Sequence, residues 1–360
     1  MKTLRLLVDA NDPESRESRQ SIERAAGILR GGGTVAFPTE TVYGLGAHAL
    51  DAEAVAKIFA AKQRPAWDPL IVHVSDRTML DQVARDIPEN AQRLMDVFWP
   101  GPLTLLLPRR AEVPDVVTAG LPRVGLRMPA HPVAQALLRA AAVPVAAPSA
   151  NTFGRTSPTH ADHVAEDLDG RIDAILDGGE TTHGVESTVA DVRDEGCVIF
   201  RPGVVTLEQV RAVCRGTVTL RGTDVTEEET ILGAASPGLA LRHYAPRARL
   251  VLIDGEGETQ RAAFGAAAKE CEEAGEALGL MLPDAFQMAV IGRRARVYRW
   301  GSWSDEEELA QRLYAGLRWL DAAGVTAILC PVPAGRGLAV AIRDRLLKAA
   351  RRSGSEEAVG

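Results

Sequence analysis

Between Ser18 and about Val213 the chain keeps switching between short apolar runs and amphipathic stretches. SIERAAGILRGGG reads as a helix closed by Gly31 to Gly33. TVAFP follows as a strand. DAEAVAKIFAAKQRP has Asp51 as N-cap, Val55, Ile58 and Phe59 on its apolar side, and Pro65 as its stop. PLIVHV, LTLLLP, VGLRMP and VPVAAPSAN read as strands, while PENAQRLMDVFWPG, HPVAQALLRAA and TLEQVRAVC read as helices. A chain that alternates these periods cannot close an all-helical bundle or a pure β-sandwich; it must lay helices on a sheet. Late short strands joined by glycine turns (DAILDGG, STVADV, CVIFRPG) predict antiparallel pairing there. The expected sheet is therefore mixed.

The periodicity fails from Arg221 to Pro246, where glycines, prolines and a run of acids form a linker. Arg242, His243 and Tyr244 are ornate for a spacer. From about Ala248 a smaller α/β unit restarts, with strands RLVLID, LGLML, ARVYRW and VTAILCP. One of its helices is expected to start at a capping box, Ser304 to Glu307, with Leu309, Leu313, Leu317 and Leu320 on one face. This is the pattern of a small doubly wound, Rossmann-like domain. The expected division is a first domain at 1–220, a linker or lid at 221–247, the small domain at 248–352 and a disordered tail at 353–360.

Composition narrows the function. The chain has 41 Lys and Arg against 48 Asp and Glu, and a net charge of −7, which argues against coating nucleic acid, although a local basic cleft survives it. Its four cysteines are far apart and form no CxxC pair, so neither a zinc site nor a disulfide framework is expected. The N-terminal apolar run is too short for a signal peptide, and no stretch nears the ~20 apolar residues of a spanning helix. A soluble, cytoplasmic protein with no membrane partner is the expectation.

No GxxxxGK[ST] phosphate loop is present, and GLGAHA and GRGLAV are each half of a dinucleotide fingerprint. His160 and His163 read as a solvated helix start rather than a metal site. What stands out is a set of polar clusters at strand ends, where ligands bind in open α/β sheets. Thr39, Glu40 and Thr41 follow the first strand; Lys62 and Arg64 precede the second, and His73 lies in it. Arg127 sits inside the apolar run Val124 to Met128, where an unpaired charge is costly. Ser149 and Asn151 end another strand, with Ser157 beyond; Glu186, Ser187 and Thr188 start a late one, and Arg201 follows CVIF. Each cluster alone has an ordinary reading as turn or helix-end chemistry. Together they supply cations, hydroxyls and one or two carboxylates, a kit for a polyanion beside a small zwitterion. No Ser-His-Asp or Cys-His arrangement is evident, so catalysis by positioning and charge neutralisation is expected.

In this order, FPTETVYGLG, KQRP with DPLIVHV, GLRMP, APSANTFGRTSPT, HGVESTV and FRPG closely resemble the threonylcarbamoyl-AMP synthase family, the YrdC-like enzymes. SPGLALRHYAPR and GRGLAVAIRDRLLKAA resemble the linker and last helix of its long, two-domain form. The resemblance implies a YrdC-like domain with a twisted mixed sheet, and a nucleotidyl transfer that joins L-threonine, bicarbonate and ATP with release of pyrophosphate. It implies that Thr41, His73, Arg127, Ala147 and Ser187 contact threonine. It implies that Lys62, Arg64, Asp68, Arg123, Ser149, Asn151, Ser157, Arg201 and Tyr244 hold ATP, with Lys62 and Arg64 as the catalytic cations and Mg²⁺ accompanying the nucleotide. Glu40 would be a base or, preferably, an anchor for a helix N-terminus. The product would pass to downstream tRNA threonylcarbamoyl-transfer proteins, with tRNA met indirectly. The chain departs from the family pattern at Asp68, where Asn is frequent, at Arg123, where a small hydroxyl residue is expected, and at Leu239-Ala240-Leu241, where a Met-Lys-Tyr pattern is expected. The competing readings are an RNA-binding module of the same fold and a carbamoyl-transfer enzyme of hydrogenase maturation; the second lacks its cysteine-rich zinc and acylphosphatase modules here.

Overall fold

The computed structural model describes residues 2–221, 243–284, 286 and 295–351. Most of the expected linker, including Leu239 to Leu241, and the expected tail lie outside the described residues. The chain divides into two compact units: Met1–Phe153 with Ser157–Thr182 and Glu186–Ala240, and Gly154–Thr156 with His183–Val185 and Leu241–Gly360.

The first unit runs β1 (Leu4–Leu7), α1 (Arg16–Arg30), β2 (Val35–Pro38), β3 (Tyr43–His48), α2 (Ala52–Lys62), β4 (Ile71–His73), α3 (Arg77–Leu80), α4 (Glu89–Phe98), β5 (Leu103–Pro108), α5 (Asp115–Thr118), β6 (Arg123–Arg127), α6 (Pro132–Ala141) and β7 (Val145–Ala146). It continues with α7 (Ala161–Leu168), β8 (Ala174–Asp177), β9 (Thr188–Arg193), β10 (Gly196–Arg201), α8 (Leu207–Val213) and β11 (Thr217–Leu220). Its strands form one mixed sheet, in the order β1-β8-β2-β3-β7-β4-β6-β5-β9-β10-β11. The expected antiparallel pairing of the late strands holds for β9 and β10, whereas β8 instead lies parallel to β1 and β2.

Side-chain alternation along each strand sorts this sheet into two faces. Val35 and Phe37, Val145 and Ala147, and Ala174 and Leu176 face the core shared with α1 and α6. Ala36, Leu45, Val72, Leu105 and Leu126 face the opposite core, against Ile58 of α2 and Leu94 of α4. On the strands β4, β6, β5 and β9, the positions between these apolar ones include His73, Arg123, Gly125, Arg127, Thr104 and Asp191. One stretch of the sheet thus has a mostly apolar face and another on which polar residues sit among Ile71, Leu106 and Val189, and that second face carries candidate site residues.

β3 was not evident from sequence, since GLG reads as a loop. Gly46 is required on Phe37's face: its Cβ would lie 2.7 Å from Val145 Cγ1 and 2.8 Å from Phe37 Cε1. The half-fingerprint GLGAHA is therefore strand, not phosphate loop.

The second unit has β12 (Arg249–Ile253), α9 (Gly257–Glu273), β13 (Leu278–Pro283), β14 (Arg296–Gly301), α10 (Glu306–Ala322), β15 (Ala327–Pro331) and α11 (Leu338–Ala350). The four strands are parallel, in the order β12-β15-β13-β14. Phe264 and Cys271 of α9 cover one face with Ile253, Leu280 and Leu329. On the other face, α10 packs Leu320 near Gly279 and Gly316 near Tyr298 and Met281. The cap of α10 is one residue later than its sequence predicts: Asp305, not Ser304, accepts the Glu308 amide at 3.0 Å. Beyond the carboxyl ends of β12 and β15, Gly255, Gln260, Trp303, Glu306 and Pro333 line a cleft of about 340 Å³.

Candidate functional site

The turn from β2 to β3 is built by Thr39. Its Oγ1 donates to the Val42 carbonyl at 2.7 Å and accepts the Thr41 and Val42 amides at 3.2 and 3.3 Å. That local bonding presents the next two side chains to Arg127, which closes β6. Arg127 Nη1 donates to Thr41 Oγ1 at 2.9 Å, Nη2 lies 2.6 Å from Glu40 Oε1, and Nε donates to the Gly101 carbonyl at 3.3 Å. Glu40 Oε2 accepts the Ala130 amide at 3.0 Å. Both ends of this ion pair are buried. Burial by itself would raise the Glu40 pKa, but the charge and hydrogen bond of Arg127 hold it below the usual carboxylate range.

His73 ends β4 and is in register with Arg127 of β6 and Val145 of β7. Its ring meets Phe37 edge to face, with centroids 6.1 Å apart. Burial, reinforced by the neighbouring Arg127 charge, pushes its pKa down to about 3, so the imidazole is neutral. Ala147 donates its amide to the Ile71 carbonyl of the same strand at 2.8 Å.

The loop before β5 connects Arg127 to Ser187. Gly101 accepts from Arg127 Nε and donates to the Met128 carbonyl, while the Pro102 carbonyl accepts the Thr188 amide. Ser187 Oγ shares a hydrogen bond with Thr104 Oγ1 at 2.8 Å and accepts from Arg201 Nη2 at 3.2 Å. Arg201 also donates Nε and Nη2 to the Ser187 carbonyl. Gly203 is required here, because its Cβ would lie 2.4 Å from the Thr188 nitrogen. Next to Ser187, Glu186 Oε1 accepts from Ser157 Oγ at 2.6 Å. Thr41, His73, Arg127, Ala147 and Ser187, scattered over 147 positions of sequence, thus belong to one connected network.

A second cluster gathers where α2 ends. Lys62 is buried, and its Nζ donates to the carbonyls of Ser149 and, at 2.5 Å, Asn151. The Phe153 amide donates back to the Lys62 carbonyl at 2.8 Å. Burial, with the nearby Arg64 charge, drives the Lys62 pKa well below that of a free ammonium; Asp167 and Asp68 oppose it. Arg64 Nε and Nη2 donate to the carbonyls of Asp68 and Pro69, and Nη2 pairs with Asp68 Oδ2 at 2.9 Å. The carboxylate at position 68 is thus matched by a cation four residues earlier. The loop carrying Ser149 is tied to β3 by Leu45 N to Pro148 O and Ala150 N to Tyr43 O, which joins this cluster to the Thr39 turn.

Two of the expected nucleotide residues have other described partners. Arg123 opens β6, four residues before Arg127 and hence roughly 13 Å away along the strand. Its guanidinium donates to the carbonyls of Leu106 and Val192 and pairs with Asp191 at 2.8 Å, contacts that include no member of either cluster. Tyr244 belongs to the second unit, where it is buried, stacks on Tyr314 and lies under the Arg345 guanidinium. Thr104 was not singled out from sequence as part of the site, and the hydrogen bond between Ser157 and Glu186, each named there, was not foreseen. Thr104 lies inside LTLLLP, where one hydroxyl among leucines was the only available signal.

Known protein families match both halves of the chain. Residues 27–203 match the Sua5/YciO/YrdC family, described as "Telomere recombination", and residues 205–351 match the family described as "Threonylcarbamoyl-AMP synthase, C-terminal domain". The fold and sequence together define a two-part enzyme of this type. Proteins called threonylcarbamoyl-AMP synthase from Pyrococcus abyssi and Bacillus subtilis are each 43% identical to it, over 91% and 97% of this chain and 93% and 98% of theirs. A crystal structure of P. abyssi Sua5 complexed with L-threonine matches with a TM-score of 0.86 at 41% identity, covering 97% of this chain and 98% of that one. The chain belongs to the threonylcarbamoyl-AMP synthase family.

Proposed function

We propose that this chain forms threonylcarbamoyl-AMP from L-threonine, bicarbonate or CO₂, and ATP, releasing pyrophosphate, for threonylcarbamoyladenosine modification of tRNA. One observation supports the reading above others: a buried arginine, Arg127, is set among Thr41, His73 and Glu40, and hydrogen-bonded loops connect it to the cations Lys62 and Arg64. An amino acid's carboxylate calls for an arginine fork, and a triphosphate calls for fixed cations.

In this reading threonine's carboxylate takes Arg127, and its side chain lies among Thr41, His73, Ala147 and Ser187. Its amine, once neutral, attacks bicarbonate to give an N-carboxylate. That group attacks the α-phosphate in line, and pyrophosphate leaves. Lys62 and Arg64 offset the charge that grows on the phosphate oxygens, with Ser149, Asn151, Ser157 and Arg201 fixing the nucleotide. Their carbonyl and carboxylate partners hold both cations in place beforehand, so little reorganisation accompanies the reaction. Mg²⁺ would enter with ATP as part of the substrate. The mixed anhydride hydrolyses readily and is expected to be handed to a tRNA-modifying transferase.

The test is threonine- and bicarbonate-dependent release of pyrophosphate from ATP by the purified chain. Arg64→Ala is expected to raise the KM for ATP, and Arg127→Ala the KM for threonine, each about tenfold or more. Pyrophosphate release independent of threonine, or wild-type kinetics in both variants, would refute the assignment.

A further inference from the structure

Glu40 has a geometry that anchoring does not explain. One oxygen, Oε2, meets the Ala130 amide, and this satisfies the anchoring role. The other, Oε1, lies 2.6 Å from Nη2 of Arg127, the group that an amino acid's carboxylate would require. A buried ion pair adds little stability over an apolar pair of similar size, so stability alone gives no reason for the charge. An arriving α-amino acid brings its own carboxylate to compete with Glu40 for the guanidinium, and it carries an ammonium one carbon away.

We propose that Glu40 is the general base of the reaction, accepting a proton from the ammonium of bound threonine as Arg127 exchanges Glu40 for the substrate's carboxylate. The inference rests on the placement of threonine at Arg127 argued above. The ammonium N–H bond breaks, its electron pair stays on nitrogen, and the proton passes to Glu40 Oε1. The amine's lone pair then forms the N–C bond to bicarbonate; the C–O bond to the departing hydroxide breaks, and the hydroxide leaves as water with the second nitrogen proton. Glu40 later returns its proton to solvent.

The surroundings favour this residue over its neighbours. Among the described residues, titratable groups that act on Glu40 or feel its charge include Arg127 from β6, His73 from β4 and His131 at the start of α6. Burial lowers the pKa of both histidines, which makes them weak bases. For Glu40 burial acts in the opposite direction and is offset by Arg127. A substrate carboxylate that takes over Arg127 removes the offset and leaves the burial. The base is therefore strengthened by the ligand on which it acts.

The experiment compares wild type with Glu40→Gln, which keeps an acceptor for the Ala130 amide. Pyrophosphate release at pH 7 is expected to fall about a hundredfold or more in kcat, the range of a general base. Threonine affinity measured by calorimetry is expected to stay within about tenfold. The deficit should shrink as pH rises and threonine arrives with its amine already neutral. A kcat within about threefold of wild type overturns the proposal, as does lost affinity with full kcat at saturation. If the variant does not fold, the wild-type pH profile decides. An acid limb that tracks the free threonine amine leaves no protein base and overturns the proposal, whereas a limb at lower pH supports it. Should Arg127→Ala leave the threonine KM unchanged, the site assignment itself fails; should it raise that KM while Glu40→Gln is silent, only the base assignment fails.

Discussion

At the scale of single residues, His73 shows how a strand turns a common side chain into a pH-dependent load. Its imidazole is neutral in the folded chain, with a pKa of about 3 against 6.5 for an unperturbed histidine. Between those values the unfolded chain binds the additional proton, so this contribution is complete above pH 6.5 and is lost as pH falls toward 3. At about 1.4 kcal/mol per pH unit, urea unfolding at pH 5 should report roughly 2 kcal/mol less stability than at pH 7 from this group. His73→Gln is expected to remove that part of the slope; an unchanged slope would place the proton elsewhere. Arg127 could be read from sequence as a charge needing a partner, because an arginine inside VGLRM is costly unpaired. That the partner is Glu40 could not be read, since the two lie 87 positions apart and only strand order brings them together.

At the scale of elements, the β2–β3 hairpin is the part of the site most sensitive to volume. Gly44 and Gly46 leave space over β3 for Phe37, whose ring in turn meets His73. Gly46→Ala places a methyl against Val145, Phe37 and the Val35 carbonyl, and such overpacking typically costs about 1–3 kcal/mol. Chemical denaturation should show that loss, together with weaker threonine binding as Phe37 shifts toward His73. An unchanged midpoint would mean that the hairpin relaxes freely. Helices were legible because apolar spacing and caps are local: Asp51 caps α2, accepting the amides of Glu53 and Ala54, as its position predicts. β3 was hidden because glycine disfavours strands, and only the packed neighbour explains its use.

At the scale of the whole molecule, each compact unit has its own apolar core, and Phe264 is fully buried in that of the second. Phe264→Ala is expected to cost about 3–5 kcal/mol within that core. Hydrogen exchange should then quicken in β12, β13 and β15 while the amides of β2 and β3 keep their protection. Acceleration in both units alike would show that they unfold as one. The division into a large α/β domain and a smaller parallel one followed from the sequence, because periodicity and its failure after Arg221 are properties of neighbouring residues. So did the kinds of chemistry available, because charges and hydroxyls inside apolar runs demand partners wherever the chain places them. Which cation meets which carboxylate was decided only by the tertiary structure. The order of strands in a sheet, and which of their two faces is left polar, depend on pairings between residues that sequence proximity does not constrain.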